Sequence, residues 1–348
     1  MLFACSVDLV QKKYGADAAG VLAAIDRLGP AIDVSGLDPD AIRSRVSLLE
    51  SHNLCLIGGY DLIPPFVRAN PTLGTADQDL DIPTDSPYGA LPGDMAGELA
   101  PARAVSRIPD SATANATEFL AILEAQIAAP SSTTKPGLFE ISALDFNDAM
   151  PYVRACIPQA NGAAQSSTPV REPWAGMVGN LSGSGRMHLL LHGTYSDPNW
   201  AWLWGTDGSR TASVHALSLD TIAQCDLRGC IVTFSSCYAA MLDCVPRFPL
   251  SPRTSRNQVA IACLARGAKV VVAPTRANWI DSSAPYDMFG TRLIAEFWRQ
   301  LAQGVAAGEA LRSAKGVYFA QFAGTGNQDV HRKTLLQLQC YGHPGATL

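Results

Sequence analysis

Two stretches decide the fold: His188–Trp204, HLLLHGTYSDPNWAWLW, and Cys230–Asp243, CIVTFSSCYAAMLD. Each opens as an apolar run of strand length and stops at a reactive side chain. The first stops at His192-Gly193, the second at Ser235-Ser236-Cys237. In an open α/β sheet, chemistry collects where the strands end, along the carboxyl edge. The spacing between His192 and Cys237 leaves room for one crossover, so their strands can be parallel neighbours.

The residue types suit one chemistry. A thiol attacks as its thiolate, and a nearby imidazole takes or balances the proton. Gly193 lets the backbone come close to a substrate. Its amide and that of Cys237 would face a developing oxyanion, a contribution of a few kcal/mol. The imidazole would then protonate the leaving amine. The competing reading makes Cys237 a small buried hydrophobe and His192 a loop residue. The strand-end position of both brings the catalytic pair level with that reading, and the pattern alone leaves the two open.

Around this centre the pattern is that of an α/β protein. Residues 1–50 read as mostly helical, with apolar residues at helical spacing over Ala18–Leu28 and Ala41–Leu49. Leu54–Ile57 reads as a buried strand entering the turn Gly58-Gly59. Residues 60–101 are rich in Pro, Gly and Asp and read as a long ordered loop or surface excursion. A strand at Ala104–Ile108 and a helix at Thr113–Ala128 precede Pro130–Pro136, the best linker signal. Strands then start near Leu138, Met187, Ile231 and Ala268, and residues 145–185 read as loop with one helix. Helices follow at Gln258–Arg266, Tyr286–Gln303 and Val305–Phe322, and Leu335–Tyr341 is a last apolar segment. This alternation predicts a mostly parallel sheet covered by helices on both faces. The predicted division is two α/β halves, 1–133 and 134–348.

The totals narrow the function. The chain has 348 residues, 47% of them hydrophobic and 16% charged, enough to bury a large core. A net charge of −5 with scattered basic residues gives no nucleic-acid footprint. No stretch is long and apolar enough to cross a bilayer. The start, MLFACSVDLVQKK, does not read as a signal peptide. Nine cysteines without a CxxC pair fit reduced thiols, which predicts a cytoplasmic protein with no membrane or nucleic-acid partner. Ser235 and Ser236 lack a GxSxG elbow and read as shaping the turn before Cys237. His188 reads as structural, and His215 and His331 as surface or capping residues.

These residues resemble a family. The His-Gly segment with its aromatic continuation, and the strand IVTFSSCYAAMLD, are similar to those of clan CD cysteine peptidases, in particular the gingipain-like branch and prokaryotic caspase-like proteases. Leu56–Pro64, Thr84–Gly89, Val105–Ile108, Thr275–Trp279 and Cys340–Pro344 resemble further elements of that branch, in order along the chain. The resemblance implies a caspase-like three-layer α/β/α sandwich, with an N-terminal pseudo-caspase half and a C-terminal catalytic half. It implies His192 as acid/base and Cys237 as nucleophile, with a thioester acyl-enzyme. Asp145, where the family has a glutamate, would orient the histidine. Asp148 would be the pocket acid selecting a basic P1 residue, Trp279 a pocket wall, and Ser235 a further substrate-binding position.

The implied activity is a cysteine endopeptidase cutting a protein after Arg or Lys, in a setting of bacterial defence or cell death and with an activator or effector partner. Self-cleavage would fall at Arg247, Arg253 or Arg256. The alternatives are a catalytically silent caspase-like interaction module, and a hydrolase of small esters or amides. No cofactor is expected. Calcium is the candidate ion, through Asp77, Asp79, Asp81 and Asp85, although the commoner reading of such a run is a solvated acidic loop.

Overall fold

The computed structural model describes residues 1–74, 77–158, 163–167, 172, 174–194, 202–209, 212–243, 252–281 and 283–348, with the backbone alone for 163–167 and 202. In chain order the strands are β1 (Leu2–Cys5), β2 (Ala31–Asp33), β3 (Asn53–Ile57), β4 (Phe66–Ala69), β5 (Asp81–Thr84), β6 (Ala104–Ile108), β7 (Gly137–Ser142), β8 (Ala163–Ser167), β9 (Ser184–Leu190), β10 (Trp202–Thr206), β11 (Ser213–Ser218), β12 (Ile231–Phe234), β13 (Val270–Pro274) and β14 (Leu338–Gly342). Ten of them form one sheet in the order β2-β1-β3-β6-β14-β13-β12-β9-β7-β8. Every described pairing in it is parallel except β13 with β14. The pairs β4–β5 and β10–β11 are separate antiparallel hairpins.

The strands are apolar on both sides because helices cover both faces. Val232 and Phe234 of β12 face one core with Phe119, Ile122 and Ile261. Their neighbour Ile231 faces the other, with Leu293, Phe297, Trp298 and Leu311. The result is the expected three-layer α/β/α sandwich. The sheet runs without a break past residue 133.

Several local readings change. The first fifty residues contain two strands, and the apolar start is β1, buried between β2 and β3. Four residues are too few to show a period, so the neighbouring helices dominate the pattern. The last apolar segment is β14, which enters the middle of the sheet against β13 and beside β6. Residues 145–185 include the edge strand β8. Residues 60–101 are not a surface excursion, since Thr84, Asp85, Ser86 and Tyr88 are buried. His331 is not a surface residue. It is buried, and its Nδ1 meets the Tyr318 hydroxyl at 2.6 Å.

A buried arginine organises the amino-terminal half. Arg107 on β6 is fully enclosed. Its Nε and Nη2 donate to the two Asp85 oxygens at 2.8 and 2.7 Å. Its Nη1 donates to the carbonyls of Gly58, Gly59 and Ile63. The planar fork fills all these acceptors, which a lysine cannot do. Arg107→Ala leaves Asp85 without its buried partner and is expected to lower unfolding stability by about 3–5 kcal/mol, as for other broken buried ion pairs. Urea unfolding checks this, and a loss under ~1 kcal/mol, the size of an ordinary surface change, contradicts it.

Candidate active site

Strands β9 and β12 pair in parallel with Leu189 opposite Phe234. Three residues beyond each lie His192 and Cys237, so the register delivers both to the carboxyl edge at the same height. On the far side of β9, Ser142 of β7 lies opposite Leu190. Three residues further is Asp145, at the start of the 3-10 turn Leu144–Ala149. Three neighbouring strands thus end in an acid, an imidazole and a thiol.

The imidazole is held on several sides. Its Nε2 lies 3.0 Å from Asp145 Oδ2. An ionised carboxylate only accepts, so this nitrogen carries the proton and Nδ1 remains for exchange with substrate or thiol. The Thr206 hydroxyl donates to Asp145 Oδ1 at 3.0 Å and accepts the Leu144 N–H at 3.0 Å. The main chain of His192 exchanges hydrogen bonds of 2.8 and 2.9 Å with Trp204. The Phe146 ring packs 4.6 Å from the imidazole.

Cys237 is the one described cysteine that is not fully buried. Its Sγ accepts the Asn278 N–H at 3.2 Å. Burial is the main influence on the thiol and lifts its pKa above the usual value. The Asn278 N–H and the Lys333 charge pull it down, while Asp79 and Asp77 push it up. The peptide of Gly193 lies directly on that of Cys237. A Cβ at residue 193 would overlap the Cys237 carbonyl oxygen. Only glycine lets these two backbone segments meet.

The other sequence candidates take different places. Ser235 is enclosed, at 1% exposure. Its N–H donates to Leu189 O and its carbonyl accepts from Asn278 Nδ2. It therefore sits beneath Cys237. Asp148 is exposed on the turn that carries Asp145. Trp279 is partly buried, with its indole Nε1 enclosed and unpaired. Beside it, Ile280 and Tyr286 pack with Phe146 on Ala149, Met150 and Leu190. The turn after Asp145 and the loop after β13 therefore meet beside His192. A cavity of about 20 Å³, room for one water, opens against Gly193 and Cys237 and is closed by Tyr238, Arg253 and Gln258 together with Leu203, Leu219, Ile222 and Met241.

Tyr195, Trp200 and Arg247 lie outside the described residues. Arg253 is buried, which removes it as a self-cleavage point, whereas Arg256 is exposed. Sequence reasoning missed the roles of Asn278 and Thr206. Asn278 lay inside a segment singled out for its neighbour Trp279. Thr206 carries no signal at all.

The acidic run 77–85 is not a solvated loop. Lys333 Nζ pairs with Asp77 and, at 3.0 Å, with Asp79. Arg276 holds Asp81 at 2.7 Å, and Arg107 holds Asp85. Each of these carboxylates thus faces a cationic side chain. Among the described residues, no three or more His, Cys, Asp or Glu side chains are grouped to hold a metal.

No family model matches the chain, and no curated protein matches it. Solved structures do. The Arg-specific cysteine proteinase gingipain R superposes with a TM-score of 0.66 at 13% identity, over 100% of this chain and 78% of that one. The complex of Porphyromonas gingivalis RgpB pro- and mature domains gives 0.64 at 12% identity, over 100% and 79%. At such low identity it is the fold that is shared: this chain has the caspase-like α/β/α architecture of the gingipain cysteine proteinases.

Proposed function

We propose that the chain is a cysteine endopeptidase with Cys237 as nucleophile and His192 as acid and base. The observation that carries this reading is the single-edge arrangement. His192 is fixed by Asp145, and its neighbour Gly193 is pressed against the peptide of Cys237. In the first half-reaction the Cys237 thiol gives its proton to His192 and sulfur bonds to the scissile carbonyl carbon. The amides of Gly193 and Cys237 are the donors for the resulting oxyanion. The C–N bond then breaks as His192 returns the proton to the amine, leaving a thioester. Water, deprotonated by His192, hydrolyses that thioester and frees the acid. Because burial raises the thiol pKa, the resting enzyme holds the thiol protonated and transfers the proton as the bond forms.

For specificity we propose a basic P1 residue, Arg or Lys. The support is Asp148, which is exposed three residues beyond Asp145 on the same turn. A second reading is an apolar P1 residue, favoured by the Phe146, Ile280 and Tyr286 surfaces on the same side. We further propose a protein substrate whose cleavage switches a partner, in bacterial defence or cell death. This setting rests on likeness of fold alone. No described helix is long and apolar enough to cross a membrane. We further propose that the activity needs no calcium at residues 77–85, where Lys333, Arg276 and Arg107 already supply positive charge. A silent interaction module is the competing class, and activity separates the two.

Fluorogenic peptides with Arg, Lys, Asp or Leu at P1 test this on wild type, Cys237→Ala and His192→Ala. Arg or Lys cleavage is expected, unaffected by EGTA and reduced at least about 10³-fold in either variant. Leu cleavage would transfer the specificity to the apolar surfaces. Wild-type rates in Cys237→Ala would end the nucleophile assignment. The raised thiol pKa sets the sign of a second result. Alkylation of Cys237 by iodoacetamide should rise with pH and reach half its plateau above the pH found for a free cysteine. A midpoint below neutrality contradicts this. Gly193→Ala should lose about 10²-fold in kcat, because its Cβ must push the two loops apart. Activity within threefold of wild type would contradict the contact described here.

A further inference from the structure

The sequence 77–81 belongs to the amino-terminal half, yet one of its side chains reaches the nucleophile loop. Asp79 is buried, and its carboxylate has three donors from three distant parts of the chain. Oδ1 accepts the Tyr238 hydroxyl at 3.1 Å. Oδ2 accepts the Ala277 N–H at 2.9 Å and the Lys333 ammonium at 3.0 Å. Tyr238 is the residue immediately after Cys237. Ala277 is the residue immediately before Asn278, whose N–H donates to the Cys237 sulfur. One carboxylate therefore ties together the segment that carries the nucleophile and the segment that hydrogen-bonds it.

Both segments need a tie. Tyr238 has φ of 58°, in the left-handed region that a side-chain-bearing residue adopts only when its surroundings impose it. Its N–H donates to Arg276 O at 3.1 Å, and its hydroxyl goes to Asp79. The helix Gln328–Gln337 completes the brace. Lys333 lies under Asp79, and one turn on, Gln337 Nε2 donates to Asn278 Oδ1 at 3.1 Å. Asp77 pairs with the same ammonium and accepts the Asp79 N–H at 3.1 Å, but touches neither Tyr238 nor residues 277–278 in any described hydrogen bond.

We propose that Asp79 is a positioning residue for Cys237, supplied by the non-catalytic half of the sheet. It fixes Tyr238 and Ala277 so that the Asn278 N–H stays aimed at the sulfur. This rests on Cys237 being the nucleophile. The role is one of hydrogen bonding. Asp77 is the matched comparison, because it belongs to the same buried ion cluster without holding the nucleophile loop.

The experiment uses the whole chain and reads peptide turnover, the iodoacetamide alkylation rate of Cys237, and the melting temperature. Asp79→Ala removes all three acceptors and is expected to lower kcat about 10–100-fold, the scale of a displaced reacting group, with KM within about twofold. Its alkylation of Cys237 should slow as well, because the displaced Asn278 N–H had lowered the thiol pKa by more than the lost Asp79 charge had raised it. Asp79→Asn can still accept the Ala277 N–H and turn its amide to the Tyr238 oxygen, so it should recover to within about fivefold of wild type. Asp77→Ala should lower the melting temperature about as much as Asp79→Ala while keeping kcat within about threefold. Equal losses of kcat in Asp77→Ala and Asp79→Ala, or full activity in Asp79→Ala, would overturn the proposal. So would an Asp79→Asn variant as impaired as Asp79→Ala although folded. Unchanged turnover in Cys237→Ala would instead defeat the nucleophile reading, while the alkylation rates would still test the brace on its own.

Discussion

The site depends on the parallel pairing of β9 with β12. With Leu189 opposite Phe234, His192 and Cys237 leave the sheet at equal height on adjacent strands. A slip of one residue in either strand would turn every side chain to the other face and separate the two. Burial prevents that slip. Val232 and Phe234 belong to one core, and Ile231 belongs to the other. The sheet is thus the ruler against which the chemistry is set, and the loops beyond the strand ends need only short, local restraints.

Those restraints come from far along the chain. Asp145 follows β7, Trp204 comes from the β10–β11 hairpin, and Asn278 follows β13. Arg276 joins Asp243, just after the Cys237 segment, to Asp81 of the amino-terminal half, at 2.6 and 2.7 Å. The Thr275 hydroxyl donates to Pro83 O at 3.0 Å. Antiparallel β14 closes the sheet between the two sets of strands. Burying so many charges costs free energy that the pairs recover only when every partner is in place. Such contacts specify a geometry more than they stabilise a fold.

Much of this is legible in the sequence, for a physical reason. Apolar runs that end at His192 and Cys237 announce both the strands and what they carry. The long helices show their period, and the acid after β7 stands where a strand end should place it. What stays hidden depends on contacts between distant residues. β1 and β2 are too short to show a period. β14 looks like a trailing apolar segment because nothing local says that it enters the middle of a sheet. The acidic run 77–85 looks solvated because its partners, Arg107, Arg276 and Lys333, lie elsewhere in the chain. Asn278 acts through its backbone N–H, which no side-chain pattern reveals.

The central claim is that sulfur of residue 237 forms the bond to the substrate carbonyl carbon. The most direct measurement is covalent trapping with a peptidyl acyloxymethyl ketone carrying Arg at P1, followed by intact mass and peptide mapping. The account predicts one adduct per chain, on Cys237 alone, formed much more slowly in His192→Ala. An adduct on another residue, or equal labelling with and without His192, would contradict it.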